Sequence, residues 1–243
     1  MACLLSYLTL PAPKRPLRNL LLFLFSHRFL AIARWEIHFL GIRLWNTFTG
    51  GRRRIQRVVA IRGRPLFLNF GSGPRGLADA RWINVDGFRA ANVDALLDCS
   101  RPLPFLDESF DGVFCEHVLE HFSEENGLAI AREILRILDT GGCFRIVVPD
   151  GERVIRLYLE SPEALVAWRG TGDRTPMGVV NTYFRQRYEH QFLYDWQTLK
   201  AMLECAGFSA VSRASYREGL HERALVIDDT KYEWESLYVE AVK

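Results

Sequence analysis

The stretch from Leu66 to Asp150 constrains this chain most, because its apolar runs and turns follow one another in the order of half a nucleotide-binding α/β sheet. Leu66-Phe67-Leu68-Asn69-Phe70 is continuously apolar but for one amide, and Gly71-Ser72-Gly73-Pro74 follows at once. A run of that kind, opened by Pro65, predicts a strand buried on both faces. Glycine at 71 and 73 lets the backbone turn sharply and lets a ligand approach without a Cβ in the way. Pro74 suits the first position of a helical turn, whose N–H groups can face the polar end of a cofactor.

The same stretch predicts four more strands. Trp82-Ile83-Asn84-Val85 is the second and ends in Asp86, an acid placed to accept both hydroxyls of a ribose. Only about two helical turns fit between Pro74 and Arg81, which is short for a βαβ unit. Ala95-Leu96-Leu97-Asp98 is a short third strand, with Asp98 a candidate for the adenine edge. Phe110–Cys115 is the fourth and Phe144–Val148 the fifth. Between them, Glu124 to Leu138 has helical spacing, with Gly141-Gly142 as its expected stop. Together these pieces predict a pocket for an adenosine-containing cofactor.

Beyond Pro149 the pattern loosens. Gly151–Trp168 is predicted helical and Gly170–Asn181 a loop. Asp195 and Gly207 have the chemistry of a helix cap and a helix stop. Phe208–Tyr216 and Leu237–Val242 are predicted as two closing strands joined without a helix.

Charge is placed unevenly. The chain is 243 residues with a net charge of only +2, yet Met1–Arg64 carries 12 Lys/Arg against the single acid Glu36, and the remainder sums to about −9. A basic arm of this kind suggests an anionic partner or a solvated linker. From Asn19 to Trp45 the arm is rich in Phe, Trp and Leu but is broken by Arg28, Arg34, Glu36 and Arg43. Its longest charge-free run falls well short of the roughly 20 residues that span a bilayer. Met1–Leu10 lacks the basic start and cleavage site of a signal peptide. The arm is therefore a helix lying in a membrane interface, or one packed on the domain or a partner. Arg52, Arg53, Arg54 and Arg57 with Trp35 and Trp45 favour an anionic membrane, and basic residues interleaved with large apolar ones make nucleic acid a poor partner. On that reading, deleting Met1–Arg54 leaves cofactor binding intact. The five cysteines are dispersed, with no C-x-x-C pair, which fits a reducing cytoplasm, with the protein peripheral on the inner face of the membrane.

These residues resemble the class I S-adenosylmethionine-dependent methyltransferases over roughly Pro65 to Lys243. The glycine motif stands here as Leu68-Asn69-Phe70-Gly71-Ser72-Gly73, with Asn69 where that family usually has an acid and Arg75 where it often has a third glycine. Leu103-Pro104-Phe105, Ser109-Phe110-Asp111-Gly112-Val113 and Leu135 to Gly142 resemble its small-molecule branch. Glu116-His117-Val118-Leu119-Glu120-His121 and Glu189-His190-Gln191-Phe192-Leu193-Tyr194-Asp195 resemble a bacterial subgroup associated with surface-polysaccharide gene clusters.

The resemblance implies a Rossmann-like seven-stranded sheet, mostly parallel with the last strand antiparallel. Residues 1–64 would be a helical arm and 65–243 the methyltransferase domain. It implies S-adenosyl-L-methionine as cofactor, held by Asn69, Gly71, Ser72, Gly73, Asp86, Asp98 and Glu116. A small-molecule or lipid-linked acceptor, in some cases a saccharide, would be methylated on oxygen or nitrogen. His117, His121 and His190 are the candidate catalytic residues, with Tyr183 and Tyr194 near an acceptor lid. A histidine titrates near neutral pH and can serve a hydroxyl acceptor as general base; the plainer role for His117 is to cap a helix. His117 and His121, four residues apart, would share a helical face, but no third ligand suggests itself and no metal is expected. Two other functions stay open: an NAD-dependent oxidoreductase, which would lack the Gly-Gly stop and the terminal hairpin, and a cofactor-dead scaffold held on a membrane by its arm.

Overall fold

The computed structural model describes residues 23–169, 172–186 and 189–243. The part of the arm before Phe23, including Met1–Leu10, lies outside the described residues. The chain runs through α1 (His27–Phe48), α2 (Gly51–Ala60), β1 (Phe67–Phe70), β2 (Trp82–Asp86), β3 (Ala95–Leu96), β4 (Phe110–Glu116), α3 (Glu124–Ile137) and β5 (Leu138–Pro149). It continues through α4 (Gly151–Glu160), α5 (Pro162–Arg169), α6 (Pro176–Arg185), α7 (Trp196–Ala206), β6 (Ala210–Ala214) and β7 (Ser236–Val242).

The strands form one seven-stranded sheet in the order β3-β2-β1-β4-β5-β7-β6. β1 pairs in parallel with β2 and β4, and β4 with β5. β7 enters antiparallel between β5 and β6, so it alone opposes the rest. β1 is buried along its whole length, as its apolar run requires in a strand covered on both faces. Its side chains alternate between two cores. Leu68 and Phe70 join Ile83, Val113, Ile134, Phe144 and Leu203 under α3 and α7. Phe67 joins Trp82, Phe114, Val147 and Tyr238 on the other face. That second face is covered by the long excursion between β6 and β7, through Ala224, Leu225 and Ile227, where a helix would be expected.

Several expectations need correction. Gly141-Gly142 does not stop α3. The helix ends at Ile137 because Leu138 turns extended and pairs with Phe110, and both glycines lie within β5, where the ladder shifts register. The helix expected over 151–168 is two helices, broken at Ser161-Pro162, since proline cannot continue α4. The loop expected over 170–181 gives way to α6, capped by the Thr175 side chain on the Gly178 N–H. No α-helix joins β1 to β2; a single 3₁₀ turn, Gly73–Arg75, does so. Asp195 and Gly207 cap and stop α7 as their chemistry indicates, with Gly207 at a φ of 110°.

The two arm helices lie against the sheet. Ile55 of α2 belongs to the main core, and Gln56 donates to the Pro104 carbonyl at 2.8 Å. Along α1, Asn46 donates to Leu96 O at 2.8 Å and Arg43 to Asp98 at 2.6 Å, so the helix covers the short β3 edge. Among the described residues, no helix is long and apolar enough to cross a membrane.

Candidate active site

A cavity of about 660 Å³ opens where β1, β2 and β4 end, bounded by Asn69–Leu77, Asp86–Phe88, Glu116–Val118 and the loop around Tyr232. Its volume is within the roughly 300–1,000 Å³ of small-molecule sites. The carboxyl ends of parallel strands are where such sheets bind ligands, because the backbone there leaves the ladder with N–H groups to spare.

The glycine loop forms one end. Gly71 sits at a φ of 74°, and a Cβ built there would meet Val118 Cγ2 at 2.3 Å. Gly73, at a φ of 51°, has open space beside it. The first glycine therefore lets the turn pack on Val118, and the second leaves room for a ligand. Between them the Ser72 hydroxyl is buried without a hydrogen-bond partner, which a ligand's polar group would satisfy. Asn69 lines the cavity and donates to Asn84 Oδ1 at 3.2 Å. An amide can make that bond; a carboxylate could not.

Asp86 closes the same end. Its two oxygens accept from Gly73 N and Phe88 N, each at 2.7 Å. Burial pushes its carboxyl above the ordinary value, against the pull of those N–H groups. Oxygens held by one N–H each keep lone pairs for ribose hydroxyls.

The arm supplies a wall that sequence reasoning missed. Trp35 and Phe39 of α1 line the cavity. They stack on each other at 5.7 Å between centroids, and both meet Phe88. His38 Nε2 meets the Gly87 carbonyl at 2.8 Å, which fixes the helix over the end of β2. Aromatic residues four apart in a helix were the available signal. Trp35 is thus engaged with the cavity and not free to insert into a bilayer, whereas Trp45 is exposed.

The histidine motif forms the other end. His117 follows β4 at a φ of 53°, in the left-handed region, and Leu119–His121 is a 3₁₀ turn. His117 and His121 therefore do not share a helical face. The His117 ring stacks on Tyr232 at 3.8 Å, with Nε2 2.7 Å from Ser236 Oγ and Nδ1 3.3 Å from Glu120 Oε1. His121 lines the cavity, and its Nδ1 meets the Glu189 carbonyl at 3.1 Å. Gln191 N and Phe192 N donate to Glu120 O at 2.8 and 3.3 Å, and Gln191 Nε2 to His121 O at 2.8 Å. The two motifs, some 70 residues apart, are thereby stitched together.

The remaining candidates take other places. Glu116 lines the cavity, but Arg75 ion-pairs with one of its oxygens and Asp229 N donates to the other at 2.8 Å. Arg75, standing where a third glycine was sought, also donates to the Ile227 carbonyl at 2.9 Å and so ties the glycine loop to the loop before β7. Asp98 does not border the cavity; Arg43 and Ser100 take up its carboxylate. His190 lies behind His121, its Nδ1 2.7 Å from Tyr183 O, and burial pushes its pKa down to about 4. A histidine so placed stays neutral and is a weak base, unlike the general base the sequence suggested. Tyr183 and Tyr194 are core residues and do not reach the cavity.

Residues 83–146, from β2 into β5, match the family model described as a methyltransferase domain. Over that stretch the chain is similar to methyltransferase domains. No curated protein is significantly similar to it in sequence. Among solved structures, a Thermotoga maritima S-adenosylmethionine-dependent methyltransferase, possible histamine N-methyltransferase, is 17% identical with a TM-score of 0.47, covering 86% of this chain and 99% of its own. An Aquifex aeolicus S-adenosylmethionine-dependent methyltransferase is 14% identical at 0.43, covering 79% and 88%. Haemonchus contortus phosphoethanolamine N-methyltransferase 2, solved with S-adenosyl-L-methionine, is 15% identical at 0.44, covering 78% and 51%. The sheet carries the β5–β7–β6 arrangement that an NAD-dependent oxidoreductase was expected to lack.

Proposed function

We propose that the protein transfers a methyl group from S-adenosyl-L-methionine to an oxygen or nitrogen of a small or lipid-linked acceptor, a saccharide among the candidates. Residues 65–243 would form the methyltransferase domain, and residues 1–64 an arm that closes its cavity. The observation that carries this reading is the cavity itself. Gly71, Gly73, the orphaned Ser72 hydroxyl and the Asp86 carboxylate converge there at the ends of β1 and β2.

When bound, the cofactor supplies an electrophilic sulfonium methyl. Asp86 would accept its ribose hydroxyls, Ser72 and the glycine-loop N–H groups would hold its polar groups, and Trp35, Phe39 and Phe88 would exclude water from its ring. Asn69 and Glu116 shape the floor between the two ends, Glu116 through Arg75. His117, held by Ser236 and Tyr232, faces the acceptor and orients it. His121, which borders the cavity, would receive the acceptor's proton. Methyl transfer asks mainly for alignment in a dry pocket, which this division of labour provides. His190 supports His121 from behind.

The same reading brings the protein to the inner face of an anionic membrane. Ile37, Leu40, Leu44 and Phe48 recur along α1 at three- and four-residue steps and are all exposed, an apolar stripe turned away from the domain. Arg52, Arg53, Arg54 and Arg57 follow on α2, exposed and without an ion pair among the described residues. Calorimetry with S-adenosylmethionine and with NAD in parallel tests the core of the proposal. Heat with the first and none with the second is expected; no binding of S-adenosylmethionine would overturn it. A screen of hydroxyl and amine acceptors with labelled cofactor then identifies the substrate class.

A further inference from the structure

The motif that carries His117 and His121 also buries Glu120 completely, with His117 Nδ1 3.3 Å from Oε1 and no hydrogen-bond partner on Oε2. An ionised group left so is costly unless something cationic meets it. One atom each from Glu120, His121 and His190 lie within 4.8 Å of one another. The two imidazole rings stand 5.1 Å apart at 73°.

The hydrogen bonds of these rings fix which nitrogen is available. His121 Nδ1 meets Glu189 O, and His190 Nδ1 meets Tyr183 O. A carbonyl oxygen only accepts, so in both neutral rings Nδ1 carries the hydrogen and Nε2 the lone pair. An imidazole with its outer N–H given to a carbonyl is the arrangement that orients a metal ligand. Three side chains able to donate a lone pair thus converge. The surroundings are preorganised too, since Gln191 and Phe192 fasten the backbone of Glu120 and His121 to the segment that carries His190.

We propose that Glu120, His121 and His190 form a binding site for a divalent transition-metal ion, with zinc the best match to two imidazoles and one carboxylate. Magnesium and calcium prefer all-oxygen sets. Around zinc at about 2.0–2.2 Å, ligand atoms stand roughly 3.3 Å apart. Binding therefore draws the three side chains inward by an ångström or so. His117, 3.3 Å from Glu120 Oε1, orients the carboxylate. His121 borders the cavity, so the fourth position opens toward it and can take an oxygen of the acceptor. That last role rests on the methyltransferase reading; the metal site does not. A cation there lowers the proton affinity of a bound hydroxyl; His121, its nitrogen taken by the metal, then no longer receives the acceptor's proton, which passes to water.

The test measures metal directly. Full-length protein is stripped with a chelator, re-equilibrated with Zn²⁺ alone and assayed for bound metal by mass spectrometry, with Co²⁺ absorption as a reporter of nitrogen and oxygen ligation. One equivalent is expected, weakened by 10–100-fold or more in Glu120→Gln and in His121→Ala. Glu120→Gln is isosteric, and circular dichroism confirms that both variants are folded. Wild-type protein that takes up no zinc overturns the proposal. So does zinc that binds equally in both variants, since it must then sit elsewhere, for instance on the exposed Cys205. Calorimetry of the stripped protein with S-adenosylmethionine keeps the two proposals apart, because cofactor binding without metal binding sinks only the site.

Discussion

Two carboxylates, the half-buried Asp86 and the fully buried Glu120, stand on either side of β1, and they are held in opposite ways. Asp86, at the end of β2, takes one backbone N–H on each oxygen. Glu120, just past β4, takes none. The first keeps lone pairs for hydroxyl donors; the second is met by the His117 ring at 3.3 Å and has the rings of His121 and His190 beside it. Two groups of the same chemistry thus differ: one lines the cavity and keeps lone pairs for neutral donors, the other lies behind it among imidazoles. What separates them is the backbone: the glycine loop brings Gly73 N and the turn after β2 brings Phe88 N to Asp86, while the 3₁₀ turn at Glu120 is surrounded by imidazoles.

The largest effect should come from the residue that joins the two ends. Gly71→Ala puts a Cβ against Val118, in the turn that carries His117 and Glu120, and forces alanine into a left-handed conformation. A loss of roughly 2–5 kcal/mol of stability is expected from strain plus overpacking, read by denaturant unfolding. An unchanged midpoint would mean that the two ends move independently.

Asp86→Asn sharpens the contrast at one end only. Cofactor affinity should fall by about 1–3 kcal/mol in calorimetry, with zinc uptake unaltered. Its pH signature has a definite sign. Burial raises the carboxyl above 3.8, so the folded protein holds this proton more tightly than the unfolded chain does. The resulting stability is fully present below about 3.8 and is lost as pH rises through the folded pKa. The difference in stability, wild type minus Asp86→Asn, should therefore decline with rising pH just above 3.8. A rising difference would refute the burial argument.

Phe39→Ala opens the arm's side of the cavity near Asp86 and should cost about 1–2 kcal/mol of cofactor affinity through lost apolar contact. The arm is thus part of the cofactor end, and deleting Met1–Arg54 should weaken cofactor binding, contrary to what a detachable anchor implies. The smallest effect belongs to the exposed face of α2. Arg53→Ala should lower sedimentation with anionic liposomes by at most about 1 kcal/mol, and raised salt should erase the difference. Full-length protein that ignores such liposomes would leave α1 and α2 with the cavity as their only task.

Much of this was legible in the chain. β1, β2, β4 and β5 announce themselves because strands buried on both faces must be apolar throughout, and Asp195 and Gly207 mark α7 because caps are local chemistry. Gly141-Gly142 misled because glycine permits a helix stop and a bulged strand alike, and only the pairing of Leu138 with Phe110 decides between them. Arg145 interrupts the apolar run of β5 without warning. It is fully buried because Asp228 and Glu240, 83 and 95 residues further on, close around it.

The sequence by itself determined the order of strands, the glycine turn and the acid after β2, since each depends on residues within a few positions of one another. Only the tertiary structure decided that Trp35 and Phe39 wall the cavity and that His190 stands behind Glu120 and His121. Those meetings depend on how segments 50 to 70 residues apart are packed. No local pattern encodes that distance; the burial of two sheet faces does.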